Sequence, residues 1–435
     1  MLSAFGRAFT TPDLRKKILF TLAIMALFRL GSHVPTPGIS YAAIEACQRA
    51  ASGQQSLLGL ANLFSGGALL QFSVFALGIM PYITASIIVQ LLTVVIPRFE
   101  ELKKEGQSGQ TKMTQYTRYL TIGLALLQSS TLVAGAVNAP YRLIGGTELT
   151  CPTITTDSNV PTMIIMVLVL TAGTGLIMWL GEQVTERGVG NGMSLLILTA
   201  IAASVPASVW ALKDQGWGKF VMVCIMGIAI TIVVVFVENC IRRIPVQYAK
   251  RMIGRRSYGG TSTYIPLKVN MANVIPIIFA SSLLSLPVML AAFADQTKGW
   301  GLWVNQHLAR GDHPLYMAVY TVLILFFTFF YVSITYQPKE VADNLKQSGS
   351  FIPGVRAGDA TAKYIGYVLN RITVVGAVYL AILALIPLIA LALVQANQNF
   401  PFGGASILIL VGVGLETVKQ IDSKVQQHHY EGFLR

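Results

Sequence analysis

Ten apolar runs set the outline of this chain, near residues 18–31, 72–96, 119–137, 162–180, 193–212, 220–237, 274–294, 315–336, 373–394 and 405–418. Crossing about 30 Å of hydrocarbon as a helix takes roughly 20 apolar residues, and most of these runs approach that length. Backbone amides in lipid must be satisfied inside the segment, so the runs predict helices and an all-α membrane protein. Composition agrees: 54% of residues are hydrophobic, 12% are charged and mean hydropathy is +0.61, outside the range of soluble globular domains.

Two of the runs repeat each other. Pro81, Ile83, Ala85 and Ser86 in the second recur as Pro276, Ile278, Ala280 and Ser281 in the seventh. Five spans separate the copies, so the two halves of the chain are predicted to have opposite orientations, related by an axis in the membrane plane. Lysine and arginine set the direction. With the N-terminus inside, 25 of the 32 basic residues fall in cytoplasmic segments. Six are external: Arg49, Arg142, Lys213, Lys219, Lys298 and Arg310. Both termini are therefore expected in the cytoplasm, and the net charge of +13 is largely a topogenic bias. The charged start leads into a span followed by Pro35 and Pro37 with no small-residue cleavage site, so the first span is expected to stay.

Between the first two spans lies LLGLANLFSGGALL, Leu57 to Leu70, too short and too glycine-rich to cross a bilayer. It reads as a re-entrant element enclosed by protein on the external side, or as a helix lying on the membrane surface. Two long cytoplasmic loops, 241–270 and 337–370, are basic and punctuated by Gly and Pro, which suggests defined turns or hairpins rather than a loose tether. Their charge either only fixes topology or, through Arg251, Arg255 and Arg256, presents a cluster suited to phosphate or an acidic partner. Cys47 and Cys151 fall in external loops, and sequence alone leaves their pairing open.

Several chemistries are missing from the sequence. No phosphate-cradling G-x-x-x-x-G-K-[ST] loop occurs, and His33, His307, His313, His428 and His429 sit in loops or tails rather than as haem ligands at membrane depth. No cofactor and no metal site is expected. Arg29, Glu182, Glu238 and Glu416 lie near span ends, where long side chains reach the interface, and are read as structural. No charged residue occupies the middle of either repeat copy, where a solute carrier would hold its ion or substrate. What remains is two facing helices that meet through isoleucine, either as ordinary packing or as an apolar constriction that gates by dewetting.

The strings NLFSGGAL from Asn62, FALGIMPYITASIIVQLL from Phe75, KKEGQSGQ from Lys103 and MWLGEQVTERGVGNGMSL from Met178 resemble those of the SecY/Sec61-alpha family. So do YAKRMIGRR from Tyr248, PLKVNMANVIPIIFASS from Pro266 and ADNLKQSGSFIPGVRAG from Ala342. The resemblance runs essentially end to end. It implies ten transmembrane helices in two inverted five-helix halves, 1–211 and 212–435, around a central pore. The pore ring it implies is Ile79, Ile83, Met193, Ile197, Ile278 and Ile409, with methionine replacing a branched residue at one position. The plug maps onto Leu57, Leu60, Asn62, Phe64, Ser65, Gly66, Gly67 and Leu70. Thr84, Ser86 and Gln128 would face Ser282 and Leu286 across a lateral gate, joined by a weak polar latch. Arg251, Arg255, Arg256 and Arg356 would be the docking residues for partners.

By the same resemblance the chain is a non-enzymatic channel subunit in a bacterial cytoplasmic membrane, passing unfolded secretory preproteins and releasing signal peptides into membrane lipids. Its implied partners are the small subunits SecE and SecG, the SecA motor ATPase and the ribosome through rRNA. An inverted-repeat transporter of a small solute is the alternative, disfavoured by the uncharged midplane, and a non-transporting scaffold fits the broken helices worse.

Overall fold

A computed structural model describes residues 11–50, 62, 65–138, 154–155, 159–213, 216–248, 251–253, 256–258, 262–291, 299–308, 313–394 and 404–431. Leu57, Leu60, Phe64 and Arg255 of the expected plug and docking residues lie outside this range.

Each apolar run carries one long helix. The first half holds α1 (Pro12–Gly31), the short surface helix α2 (Tyr41–Ala50), α3 (Met80–Val95), α4 (Pro97–Lys104), α5 (Gln107–Asn138), α6 (Val160–Arg187) and α7 (Gly192–Lys213). The second holds α8 (Trp217–Asn239), α9 (Ile275–Ala291), α10 (Trp300–His307), α11 (Pro314–Thr335), α12 (Pro338–Gln347), α13 (Asp359–Val394) and α14 (Gly404–Glu431). Proline opens many of them: Pro12, Pro81, Pro97, Pro161, Pro314 and Pro338 all sit at the first or second helical position, where the missing N–H costs nothing.

Five stretches among the described residues are long and apolar enough to cross a membrane by length and composition alone: 107–137, 160–187, 220–239, 314–347 and 359–386. The pair α3 and α4, bent by 100° at Ile96, makes a sixth. The apolar stretches of α7 and α9 fall short, and prolines 206 and 287 interrupt these two helices. Both lie among other helices, where protein rather than lipid surrounds the backbone. By contrast α8 presents Ile225, Ile232 and Phe236 outward, the last at 71% exposure, and α13 presents Val375 and Ile382, as lipid-facing helices do. Where α7 ends and α8 begins, the Lys213 ammonium lies 4.8 Å from the Trp210 ring and 5.4 Å from that of Trp217, an arrangement typical of a membrane interface.

The packing repeats with the sequence. α3 lies on α5, α5 on α6 and α6 on α7; α9 lies on α11, α11 on α13 and α13 on α14 in the same order. Across the halves, α7 meets its counterpart α14 and α3 meets its counterpart α9. The molecule is an all-α membrane protein of two inverted five-helix halves, and besides the α7–α8 contact at the junction of the halves, α7–α14 and α3–α9 join equivalent helices.

The second span begins later than the apolar pattern predicts. Residues 66–79 form a succession of turns, and the helix starts only at Met80. Gly66, Gly67, Phe72 and Gly78 all have positive φ, which a helix cannot contain, and Pro81 favours a start just before it. This turn ribbon is clamped from several sides. Pro35 and Ser73 form an antiparallel bridge, the Val74 amide donates to the Val34 carbonyl at 2.9 Å, and Phe75 stacks on Phe28 of α1 with centroids 5.9 Å apart.

After α8, β1 (Ile241–Tyr248) and β4 (Ser262–Lys268) pair antiparallel, with Ile244 opposite Ile265. A smaller hairpin, β2 (Arg251–Ile253) and β3 (Arg256–Tyr258), follows β1. The strand β5 (Ser350–Phe351) then adds to β1, Gln247 opposite Phe351 and Tyr248 opposite Ser350, so the two basic loops belong to one sheet. Ile244, Val246, Leu267, Ile352 and Ile365 are its buried core. Cys47 is disulfide-bonded and fully buried, while Cys224 and Cys240 are free thiols.

Candidate functional site

The six expected ring residues come from four helices and all belong to the large apolar cluster that forms the main core. Ile79 at the N-cap of α3, Ile197 on α7, Ile278 on α9 and Ile409 on α14 are 2%, 6%, 7% and 1% exposed, and Ile83 and Met193 pack against them half-buried. Met193 is accommodated by Gly181 on α6: a β-carbon there would stand 2.5 Å from the methionine sulfur. Every side chain in the ring is aliphatic or thioether, so it offers no hydrogen bond to water or to anything that passes. A side-on contact of Phe279 with Phe327, centroids 5.6 Å apart, ties α9 to α11 beside it.

Above the ring, the described part of the 57–70 segment is a knot of hydrogen bonds. Asn62 Oδ1 accepts from the Leu70 amide at 3.1 Å and its carbonyl accepts from the Gly67 amide at 3.0 Å. Ser65 Oγ accepts from the Leu69 amide at 3.0 Å. Gly66, at φ +68°, is pressed on α7, where a β-carbon would stand 3.0 Å from the Ala200 Cα. One turn earlier on α7 is Ile197. The Arg29 guanidinium of α1 donates to the Gly66 carbonyl at 2.7 Å. Arg29 therefore does not reach for the interface as expected from its place near a span end; it turns inward.

The other charged residues of the spans are also engaged. Arg118 on α5 makes a two-pronged pair with Glu182 on α6, at 2.8 and 2.7 Å. Glu238, at 6% exposure, accepts from Asn270 Nδ2 at 2.7 Å instead of reaching the interface. Glu416 lines a cavity of about 430 Å³ together with Glu238, Lys268, Asn273, Lys419 and Lys424, where the inner ends of α8, α9 and α14 meet. Burial, with a smaller contribution from Lys17, pushes the Lys424 ammonium below the usual lysine range.

Thr84, Ser86 and Gln128 are half-buried and Ser282 is buried, while the Leu286 side chain lies outside the described residues. The Thr84 hydroxyl donates to the Met80 carbonyl of its own helix at 2.9 Å, so that proton is not spent across the seam between α3 and α9 as a latch would require. Of the docking residues, Arg251 and Arg256 are described in backbone only, on the β2–β3 hairpin. Arg356 is exposed, and its carbonyl accepts from Thr361 Oγ1 at 2.8 Å. The link between the two loops through β5 left no sequence signal, because two-residue pairing has none. Arg29 did leave one: it stands alone after eleven uncharged residues. No group of three metal-ligating side chains occurs among the described residues.

The SecY family profile matches residues 73–418. The chain belongs to the SecY family. Over its full length it is 61% identical to the protein translocase subunit SecY of Streptomyces galbus and 58% identical to that of Streptomyces scabiei, covering all of each relative. Among solved structures it superposes on one described as a protein-conducting channel, with TM-score 0.64, 18% identity, and 93% and 91% of the two chains covered. A SecY structure whose plug domain is described as stabilising the closed state and maintaining a membrane seal matches with TM-score 0.59, 18% identity and the same coverage. So does Sec61 in the canine ribosome-channel complex, with TM-score 0.59, 15% identity and again the same coverage. The inverted halves, apolar cluster and short turn-rich element before α3 are thus parts of a SecY fold.

Proposed function

We propose that this multi-pass membrane protein is the channel subunit of a protein translocase, passing unfolded secretory chains along the axis between its halves and releasing apolar segments sideways into lipid. The observation that carries this reading is the gathering of six apolar side chains from four helices of both halves in one cluster, beneath a turn-rich element. Such a constriction excludes water and ions by dewetting, yet makes no bond that a passing polypeptide must break. Midplane charge for a small-solute site is missing, so the transporter alternative has nothing to recommend it.

The finer assignments follow. The halves divide near residue 211, in the last turn of α7. Residues 57–70 act as the plug over the ring, and α3 and α5 face α9 and α11 across the lateral exit. The charged cavity under Ile409 serves as part of the cytoplasmic vestibule. The β2–β3 hairpin bearing Arg251 and Arg256, with the loop bearing Arg356, docks the ribosome through rRNA phosphates, or the acidic surface of a SecA-type motor, and that partner supplies the energy. SecE- and SecG-type subunits cover part of the lipid-facing surface. The basic-residue count favours a bacterial cytoplasmic membrane topology with both termini inside.

The test is site-specific cross-linking of an arrested secretory chain. Photoreactive residues at 83, 278 and 409 are expected to capture the chain, and one at lipid-facing Ile232 is not. Equal capture at all four positions, or none at the first three, overturns the axial path.

A further inference from the structure

We infer that Arg29 is the positioning residue of the plug: its guanidinium holds the turn at Gly66 against α7 and so sets how readily the channel opens. The inference rests on reading 57–70 as the plug.

Arg29 lies in the last turn of α1, eleven uncharged residues beyond Lys17. A cation there is favoured by the helix's own C-terminal carbonyls, which is the ordinary explanation for its presence. Its hydrogen bond does not go to them. The donor reaches Gly66, 37 residues on, at 2.7 Å, a short charge-assisted contact in a half-buried setting.

What it grips is equally specific. Gly66 has its carbonyl on Arg29 while its α-carbon faces Ala200, with no room for a side chain between. The turn is thus held between α1 and the helix that carries Met193 and Ile197 of the ring, and α1 packs on that helix directly. Around Gly66 the described turn carries hydrogen bonds of its own, through Asn62 and Ser65. The Arg29 contact adds a charge-assisted hold to that packing, so its loss shifts the turn's balance away from the seated position.

Resting ion conductance of the complete channel, reconstituted in lipid vesicles, tests this. The comparison uses the unaltered chain, Arg29→Met, Arg29→Lys, a chain lacking 57–70, and that deletion combined with Arg29→Met. Deletion of 57–70 is expected to raise resting leak. Arg29→Met should raise it about tenfold or more, the shift that loss of one hydrogen bond from a charged group produces. Arg29→Lys, which keeps a cationic donor, should raise it less. In the deletion background Arg29→Met should add less than about twofold, because its effect passes through the missing element.

If deletion leaves the leak unaltered, the plug reading fails and this inference with it. If deletion leaks but Arg29→Met does not, or if Arg29→Met adds its full effect without the plug, only the role of Arg29 is overturned. Translocation of a precursor with a strongly apolar signal shows which variants are folded. Should Arg29→Met not fold, Arg29→Gln is judged by the same outcomes.

Discussion

Ile278 and Ile409 sit at 7% and 1% exposure among apolar side chains, so an amide side chain there favours hydration of the constriction. Ile278→Asn and Ile409→Asn are expected to raise resting ion conductance and to relax the demand for a strongly apolar signal sequence. Conductance and precursor-export measurements on reconstituted channel check both, and unchanged values for both variants would remove the ring assignment. Lys424 illustrates a different residue-scale effect, since burial and Lys17 disfavour its charged form in the fold. A base whose folded pKa is lowered costs stability while it stays charged, and the cost fades as pH rises through that lowered pKa and on to the unfolded value. Lys424→Met should therefore raise Tm at neutral pH, with the gain shrinking in alkaline buffer. Thermal unfolding in detergent at two pH values reads this directly, and a gain that grew with pH would contradict the assigned cause.

At the scale of elements, the basic loops are neither floppy nor separate. β5 adds to β1, and Ile352 and Ile365 complete the core beneath Ile244, Val246 and Leu267. Arg356 follows that core by four residues and is exposed, which suits a rigidly presented cation. Arg356→Glu is expected to weaken binding of the ribosome or motor by about tenfold or more, since reversing a charge that pairs with phosphate or carboxylate costs both the attraction and an added repulsion. Resting conductance should stay as it is. Partner titration against purified channel decides it, and unaltered affinity would sink the docking assignment. Much of this element was legible in the sequence: Gly and Pro marked turns, and 241–270 does fold as a hairpin. The join through β5 was not, because a bridge of two residues is decided by tertiary position. The late start of α3 was hidden for a related reason: residues 72–79 are apolar enough to read as span, and only backbone sign at Gly78 and Phe72, with Phe28 stacked on Phe75, makes them a ribbon. Arg29 was misread because span-end position favours snorkelling unless a carbonyl is within reach, and Gly66 brings one.

For the whole molecule, the repeat at Pro81 and Pro276 has a mechanical consequence. The halves meet through pairs of equivalent helices, α7 with α14 and α3 with α9, and α7 also packs on α8, which follows it in the chain. A joint of that kind lets one seam open while the other acts as hinge. The α3–α9 contact is the slighter of the two, and its flanking positions are small and polar rather than interlocked: Ser86 on one side and Ser282 on the other. The seam that opens is expected to be this one. Cysteines at Ser86 and Ser282, in a chain whose free Cys224 and Cys240 are replaced by alanine, would then be bridged by a bifunctional thiol reagent. Bridged channel should retain its resting seal but lose translocation and lateral release of a signal-bearing precursor, and reduction of a cleavable bridge should restore both. Quantitatively bridged channel that still exported precursor would show that the halves need not part between α3 and α9, and the exit would have to lie elsewhere.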